Sequence, residues 1–201
     1  MLVEVKRKWQ DLLPLLLMVV FAASRWPGLW PREWSNFSPA YALAFCAGVY
    51  LSSRIGWWLL ATLLLSDVIM NVFYYRVAPL SLYMLPNYIV YAGVIGLGRA
   101  FSPRSSWLHL LCGGVLGAVL FYLLTNTNSW IQNPEYPKTL AGWIQALTTG
   151  VPGFPPTWTF FRNTLLSGGL FTGLFVGAMK LSEQTEEEEE PAEEAPEAEP
   201  E

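Results

Sequence analysis

The sequence predicts an all-α membrane protein of about six transmembrane helices, with a short helix in the last outer loop and a disordered acidic C-terminal tail. Three observations carry that prediction. Hydrophobic residues make up 53% of the 201 positions and aromatics 15%, with ten tryptophans and a mean hydropathy of +0.32. The apolar residues gather into six stretches. The polar residues interrupting those stretches fall mostly at one end of a bundle whose helices alternate in direction. A bilayer span needs about 20 predominantly apolar residues.

Charge divides the chain. Eleven of the 16 acidic residues lie between Glu183 and Glu201. The body, residues 1–182, holds twelve basic and five acidic side chains, a net charge of +7. The acidic overall balance therefore describes the tail, residues 183–201, and gives no reason to expect a basic partner or nucleic acid. That tail is Glu, Pro and Ala, which cannot bury a core and is expected to be disordered.

Segment one runs from about Asp11 to Trp26, with Pro14 in its first turn, where proline is tolerated. Its basic Lys6, Arg7 and Lys8, apolar run and small Ala22, Ala23 and Ser24 also fit a cleaved signal peptide. Arg25-Trp26-Pro27 is a poor continuation of that pattern. Segment two runs from about Pro39 to Ser53. Segment three, Gly56 to Phe73, is flanked by Trp57-Trp58 and Tyr74-Tyr75, as aromatic interface belts are. Segment four covers Met84 to Leu97, segment five Trp107 to Thr125 and segment six Thr159 to Leu181. In the longest loop, Asn126–Trp158, residues Thr139 to Gly150 predict a short helix that Thr139 caps.

Lys and Arg set orientation. With the N-terminus inside, seven basic residues (Lys6, Arg7, Lys8, Arg54, Arg99, Arg104, Lys180) lie inside against five outside (Arg25, Arg32, Arg76, Lys138, Arg162). Both termini are then cytoplasmic, and the long loops are outside.

Asp67 is the sharpest single residue. It lies ten residues past Trp57, about 15 Å of helix rise, and shares a helix face with Asn71. A carboxylate at that depth must be paired, protonated or wet. It contacts a ligand or cation, or ties to Arg162 or to a neighbouring backbone. Arg162 and Asn163 open segment six. Arginine's donor fork suits a carboxylate or phosphate, whereas an interfacial Arg snorkels to headgroups. Asn36, Asn87, Asn126 and Asn128 stand at outer ends, each a cap, a turn or a pocket residue. Trp130, Tyr136 and Trp143 supply aromatic walls or an interface belt. Ala40, Ala44 and Gly48 repeat small residues at four-residue spacing, which permits close helix packing or docking of a membrane partner.

No P-loop, G-x-S-x-G or H-E-x-x-H occurs. The single His109 and two cysteines, Cys46 and Cys112, form no metal-ligand cluster, so no cofactor, metal or catalytic pair is expected and the chain is not expected to be an enzyme.

Several strings occur together: Trp34-Ser-Asn-Phe-Ser-Pro-Ala40, Leu65-Ser-Asp67, Leu124-Thr-Asn126, Tyr136-Pro-Lys-Thr-Leu-Ala-Gly142 and Phe160-Phe-Arg-Asn-Thr-Leu165. The combination resembles an uncharacterised family of small bacterial six-helix membrane proteins. That family is distantly similar to the substrate-binding S components of energy-coupling factor transporters. The resemblance implies solute capture from outside in the bacterial cytoplasmic membrane, with a separate coupling subunit and ATPases as partners beside the lipid bilayer. It further implies ligand contacts at Asn36, Asp67, Asn126, Tyr136, Lys138, Arg162 and Asn163. The chain departs from S components in its first helix, where Leu12 to Val20 is bulky rather than small.

Overall fold

Ten consecutive residues of the second apolar segment, Ala40 to Val49, are buried, and the other helices pack around them. The computed structural model describes residues 12–13, 16–20, 23–26, 29, 31–51 and 53–193, with the side chains of 32, 53–56 and 184–193 outside the description. The basic N-terminal residues, Pro14 and Ala22 lie outside the described residues, as does the end of the acidic tail.

Every described element is helical. A 3-10 turn at Arg32–Trp34 precedes α1, Ala40–Tyr50. Helix α2, Ser53–Ile69, continues as a π-helix over Met70–Tyr75. A second 3-10 turn, Leu82–Met84, leads into α3, Leu85–Gly98. Helix α4 is Trp107–Gln132, α5 is Leu140–Leu147 and α6 is Thr157–Glu193. Of the described residues of segment one, 12–13, 16–20 and 23 are helical as well, and 24–26 leave the helix in a turn.

Helix α1 is apolar on every side, the signature of a helix surrounded by protein. Its small residues let its neighbours close in. A Cβ added to Gly48 would sit 2.2 Å from the Ile95 carbonyl, and one on Gly98 would sit 2.2 Å from the Phe45 carbonyl. The C-terminal ends of α1 and α3 therefore meet backbone to backbone. Ala40 and Ala44, on the same stripe, are 0% exposed. The stripe is consumed by internal packing and presents no face for partner docking.

Helices α4 and α6 run antiparallel. Trp107 Nε1 donates to the Gly173 carbonyl at 3.3 Å, and Gly114 lies against the Thr172 side chain. These contacts fix two ends of the bundle. One holds Tyr50, Gly98, Trp107 and Lys180, whose ammonium donates to the Pro103 carbonyl at 3.0 Å. The other holds residues 31–39, the π-helix, the start of α3, the end of α4 and the start of α6.

Among the described residues three helices are long and apolar enough to cross a membrane: Trp57–Tyr75, Trp107–Gln132 and Thr157–Glu183. Ala40–Tyr50 and Leu82–Gly98 are shorter. The 11 residues of α1 rise about 16 Å, half of a hydrocarbon core about 30 Å thick. Its N-terminal approach, residues 31–39, is irregular because Pro39 and a left-handed Asn36 (φ 64°) break the helix. Asparagine tolerates that region better than most side chains.

Two boundaries differ from the sequence expectation. Helix α4 runs on past Thr125 to Gln132, so Asn126 and Asn128 are helical rather than loop residues. Their polar neighbours are satisfied within the helix. Thr125 Oγ1 donates to the Phe121 carbonyl at 2.8 Å and Asn126 Nδ2 to the Tyr122 carbonyl at 2.8 Å, the back-bonding that lets such residues sit in a helix. Helix α6 reaches Glu193, into the segment expected to be unstructured. Glutamate is a good helix former, and extending an existing helix avoids the cost of nucleation. The expected short helix forms as α5, with Thr139 accepting from the Gly142 N–H at 3.2 Å. Cys46 is buried, Cys112 is exposed, and both are free thiols.

Candidate functional site

Asp67 lies on α2 just before the π-helix, and three elements converge on its carboxylate. Arg25, at the end of segment one, donates from a terminal guanidinium nitrogen to Asp67 Oδ1 at 2.6 Å. Its other terminal nitrogen donates to Ser66 Oγ at 2.5 Å and to the Leu63 carbonyl at 3.4 Å. The Tyr88 hydroxyl, from α3, donates to Asp67 Oδ2 at 2.5 Å. Both carboxylate oxygens are thus occupied, and the pair is largely buried, with side-chain exposures of 10% for Arg25 and 21% for Asp67. The expected tie from Asp67 to Arg162 is not made. Arg25 takes that place across 42 positions of sequence.

Above this pair opens a cavity of about 550 Å³. The 31–38 segment forms one wall through Trp34, Ser35, Asn36, Phe37 and Ser38. The π-helix forms a second through Met70, Asn71, Tyr74 and Tyr75. Its wide i→i+5 winding, common at functional sites, gathers these four side chains onto one face. Tyr41, Asn87, Tyr91 and Phe121 complete the lining. A second cavity, about 580 Å³, shares Asn36, Asn87 and Phe121 with the first and extends along α4 past Thr125, Asn126, Asn128 and Gln132. The two cavities adjoin at these three shared residues, and the pair is the chamber. Across Tyr88, on the outer surface of α2 and α3, lies an apolar groove lined by Leu60, Leu64, Leu82 and Leu85.

The irregular wall is held from below. Asn163, 0% exposed, donates its amide to the Glu33 and Ser35 carbonyls, both at 2.9 Å. Tyr41 donates to the Asn36 carbonyl at 2.5 Å and lies 3.1 Å from Ser167 Oγ. Ser167 in turn donates to the Asn163 carbonyl at 2.8 Å. These bonds satisfy backbone carbonyls that a continuous helix would have paired.

Five of the sequence-selected residues, Asn36, Asn71, Asn87, Asn126 and Asn128, line the chamber, and Asp67 forms its floor. Four do not. Arg162 is exposed and donates only to Asn163 Oδ1, at 3.1 and 3.2 Å. Asn163 is a structural tie beneath the wall. Tyr136 is buried away from both cavities. Lys138 donates to the Trp130 carbonyl and, at 2.7 Å, to the Asn133 carbonyl, which caps the C-terminal end of α4. Asn163 and Lys138 serve backbone carbonyls near helix ends, as polar residues there commonly do, whereas Arg162 serves the Asn163 side chain.

Sequence reasoning missed Arg25, Tyr41, Tyr88 and Tyr91. Arg25 was visible as a cation ending an apolar segment whose one acid, Asp11, stands at the opposite end. The tyrosines resembled the apolar residues around them, and only the fold turns the Tyr41 hydroxyl toward Asn36 and the Tyr88 hydroxyl toward Asp67.

The fold and chamber define an all-helical protein of membrane-type composition, with a polar, aromatic-walled cavity at one end. The chain belongs to the family described as "Family of unknown function (DUF6580)", whose model matches residues 6–191. No curated protein and no solved structure matches it.

Proposed function

We propose that the protein is a small-solute binding and transport subunit of the bacterial cytoplasmic membrane. Six apolar segments embed it, both termini are cytoplasmic and the chamber opens to the outer side. The observation that carries this proposal is the adjoining pair of cavities at one end of an apolar bundle. Polar side chains near hydrocarbon mark sites and pathways, and each cavity falls in the roughly 300–1,000 Å³ range of small-molecule sites. Amides beside aromatic walls supply polar anchors next to apolar surface. In the manner of S components, the subunit captures solute while a separate membrane coupling subunit and ATPases supply the energy. The chain carries no nucleophile–base pair and no phosphate-binding loop, so it acts as a binding subunit and not as an enzyme.

Purification in mild detergent followed by native mass measurement tests this. The expected result is a stoichiometric small molecule released on denaturation. Empty protein that neither gains a bound solute nor affects solute uptake in cells would refute it.

A structural or interaction role is the second reading, favoured by the saturated Arg25–Asp67–Tyr88 bonds. It predicts that Asp67→Ala lowers thermal stability while no cavity-lining substitution changes any solute phenotype.

A further inference from the structure

We infer that the chamber takes an uncharged solute, held where its two cavities adjoin by the side-chain amides of Asn36 and Asn87. This rests on the binding reading above and narrows it. Arg25 and Asp67 are the only charged residues lining either cavity among the described residues, and each already has the other as its partner at 2.6 Å. A charged solute entering such a site gives up its hydration and needs an opposite charge in exchange. The first cavity offers only an ion pair already neutralised, and the second has no charged side chain in its lining.

The amides differ in availability. Asn71 donates to the Pro79 carbonyl and Asn126 to the Tyr122 carbonyl, while Asn128 accepts from Gln132. Among the described residues no hydrogen bond engages the side-chain amide of Asn36 or Asn87. Each free amide presents two donors and a carbonyl acceptor, which suits a neutral solute carrying both. Beside them Phe121 stacks on Tyr91, centroids 4.9 Å apart and planes 21° apart, a flat apolar surface for the body of the solute. Arg25 and Asp67 are then wall and not ligand contacts.

The test uses full-length protein in mild detergent and a defined mixture of uncharged, anionic and cationic heteroaromatic and amide compounds of matched size. Thermal shift and native mass spectrometry are the readouts. Uncharged members alone are expected to bind. Asn87→Leu and Asn36→Gly should weaken them roughly tenfold or more, the cost of one lost polar contact. Glycine keeps the left-handed backbone at position 36. Asn87→Asp provides a second arm, moving the preference toward cationic members if the amide touches the solute. Binding by charged members alone overturns the inference and leaves the binding reading standing. Uncharged binding that is indifferent to all three substitutions removes Asn36 and Asn87 from the site. Wild-type protein that binds no member ends both the inference and the reading on which it rests.

Discussion

Replacing Asp67 by Asn tests the junction that joins three elements. The substitution keeps the shape and removes the charge. Asp67 accepts from Arg25 at 2.6 Å and from Tyr88 at 2.5 Å, and a hydrogen bond to a charged group contributes about 1.5–3 kcal/mol. The carboxylate is 21% exposed and lines a cavity, so the lower end applies to each bond. The sum is about 3 kcal/mol, in line with the cost of breaking a buried pair and leaving one charge behind. For a chain of this size about 1 kcal/mol corresponds to roughly 2–4 °C, so the melting temperature should fall by about 6–12 °C. Tyr88→Phe removes one bond and should cost about half as much. Arg25→Gln combined with Asp67→Asn should be less harmful than the two separate effects added, by at least about 1 kcal/mol, because the second change removes the stranded charge. Tryptophan fluorescence of the protein in mild detergent reads all four variants. An Asp67→Asn protein melting within about 1 °C of wild type, or strictly additive effects, would refute the reasoning.

Two further predictions concern how the chamber is held. Gly98→Ala drives a methyl to 2.2 Å from the Phe45 carbonyl, while Gly96→Ala meets nothing within 4 Å. The first should cost about 3 kcal/mol or more through forced separation of α1 and α3; the second should be neutral or slightly stabilising. Paired melting curves of the two variants check this. Asn163→Ala strips two hydrogen bonds from the Glu33 and Ser35 carbonyls. A loss of about 2 kcal/mol is expected, together with faster protease cleavage in residues 31–39. Unchanged cleavage there would show that the wall does not depend on Asn163.

Legibility in the sequence followed from how local each signal was. The helical segments were readable because apolar runs, aromatic flanks and the Thr139 cap act within a few residues. Their lengths were less readable. Helix α4 outran its apolar run because Thr125 and Asn126 satisfied themselves on their own helix. Asn36, Asn71 and Asn87 belonged to a chamber, whereas Arg162 and Lys138, equally polar and at the same end, serve neighbouring side-chain or backbone groups. Sequence position alone does not separate those uses.

What the sequence by itself determined was the all-helical, membrane-type character and the gathering of polar residues at one end. Both follow from composition and from the alternation of helix direction. Only the tertiary structure decided that Asp67 pairs with Arg25. Five cations, Arg25, Arg32, Arg76, Lys138 and Arg162, were candidates for one carboxylate in the sequence, and the choice depends on how segment one is placed against α2 and α3. It also decided that the Ala40–Gly48 stripe faces inward, since α1 is apolar all round and its partners are set by backbone approach. Residues 31–39 became a chamber wall for the same reason. A short central helix leaves its approach without helical pairing, and Asn163 and Tyr41 satisfy the carbonyls of Glu33, Ser35 and Asn36 instead.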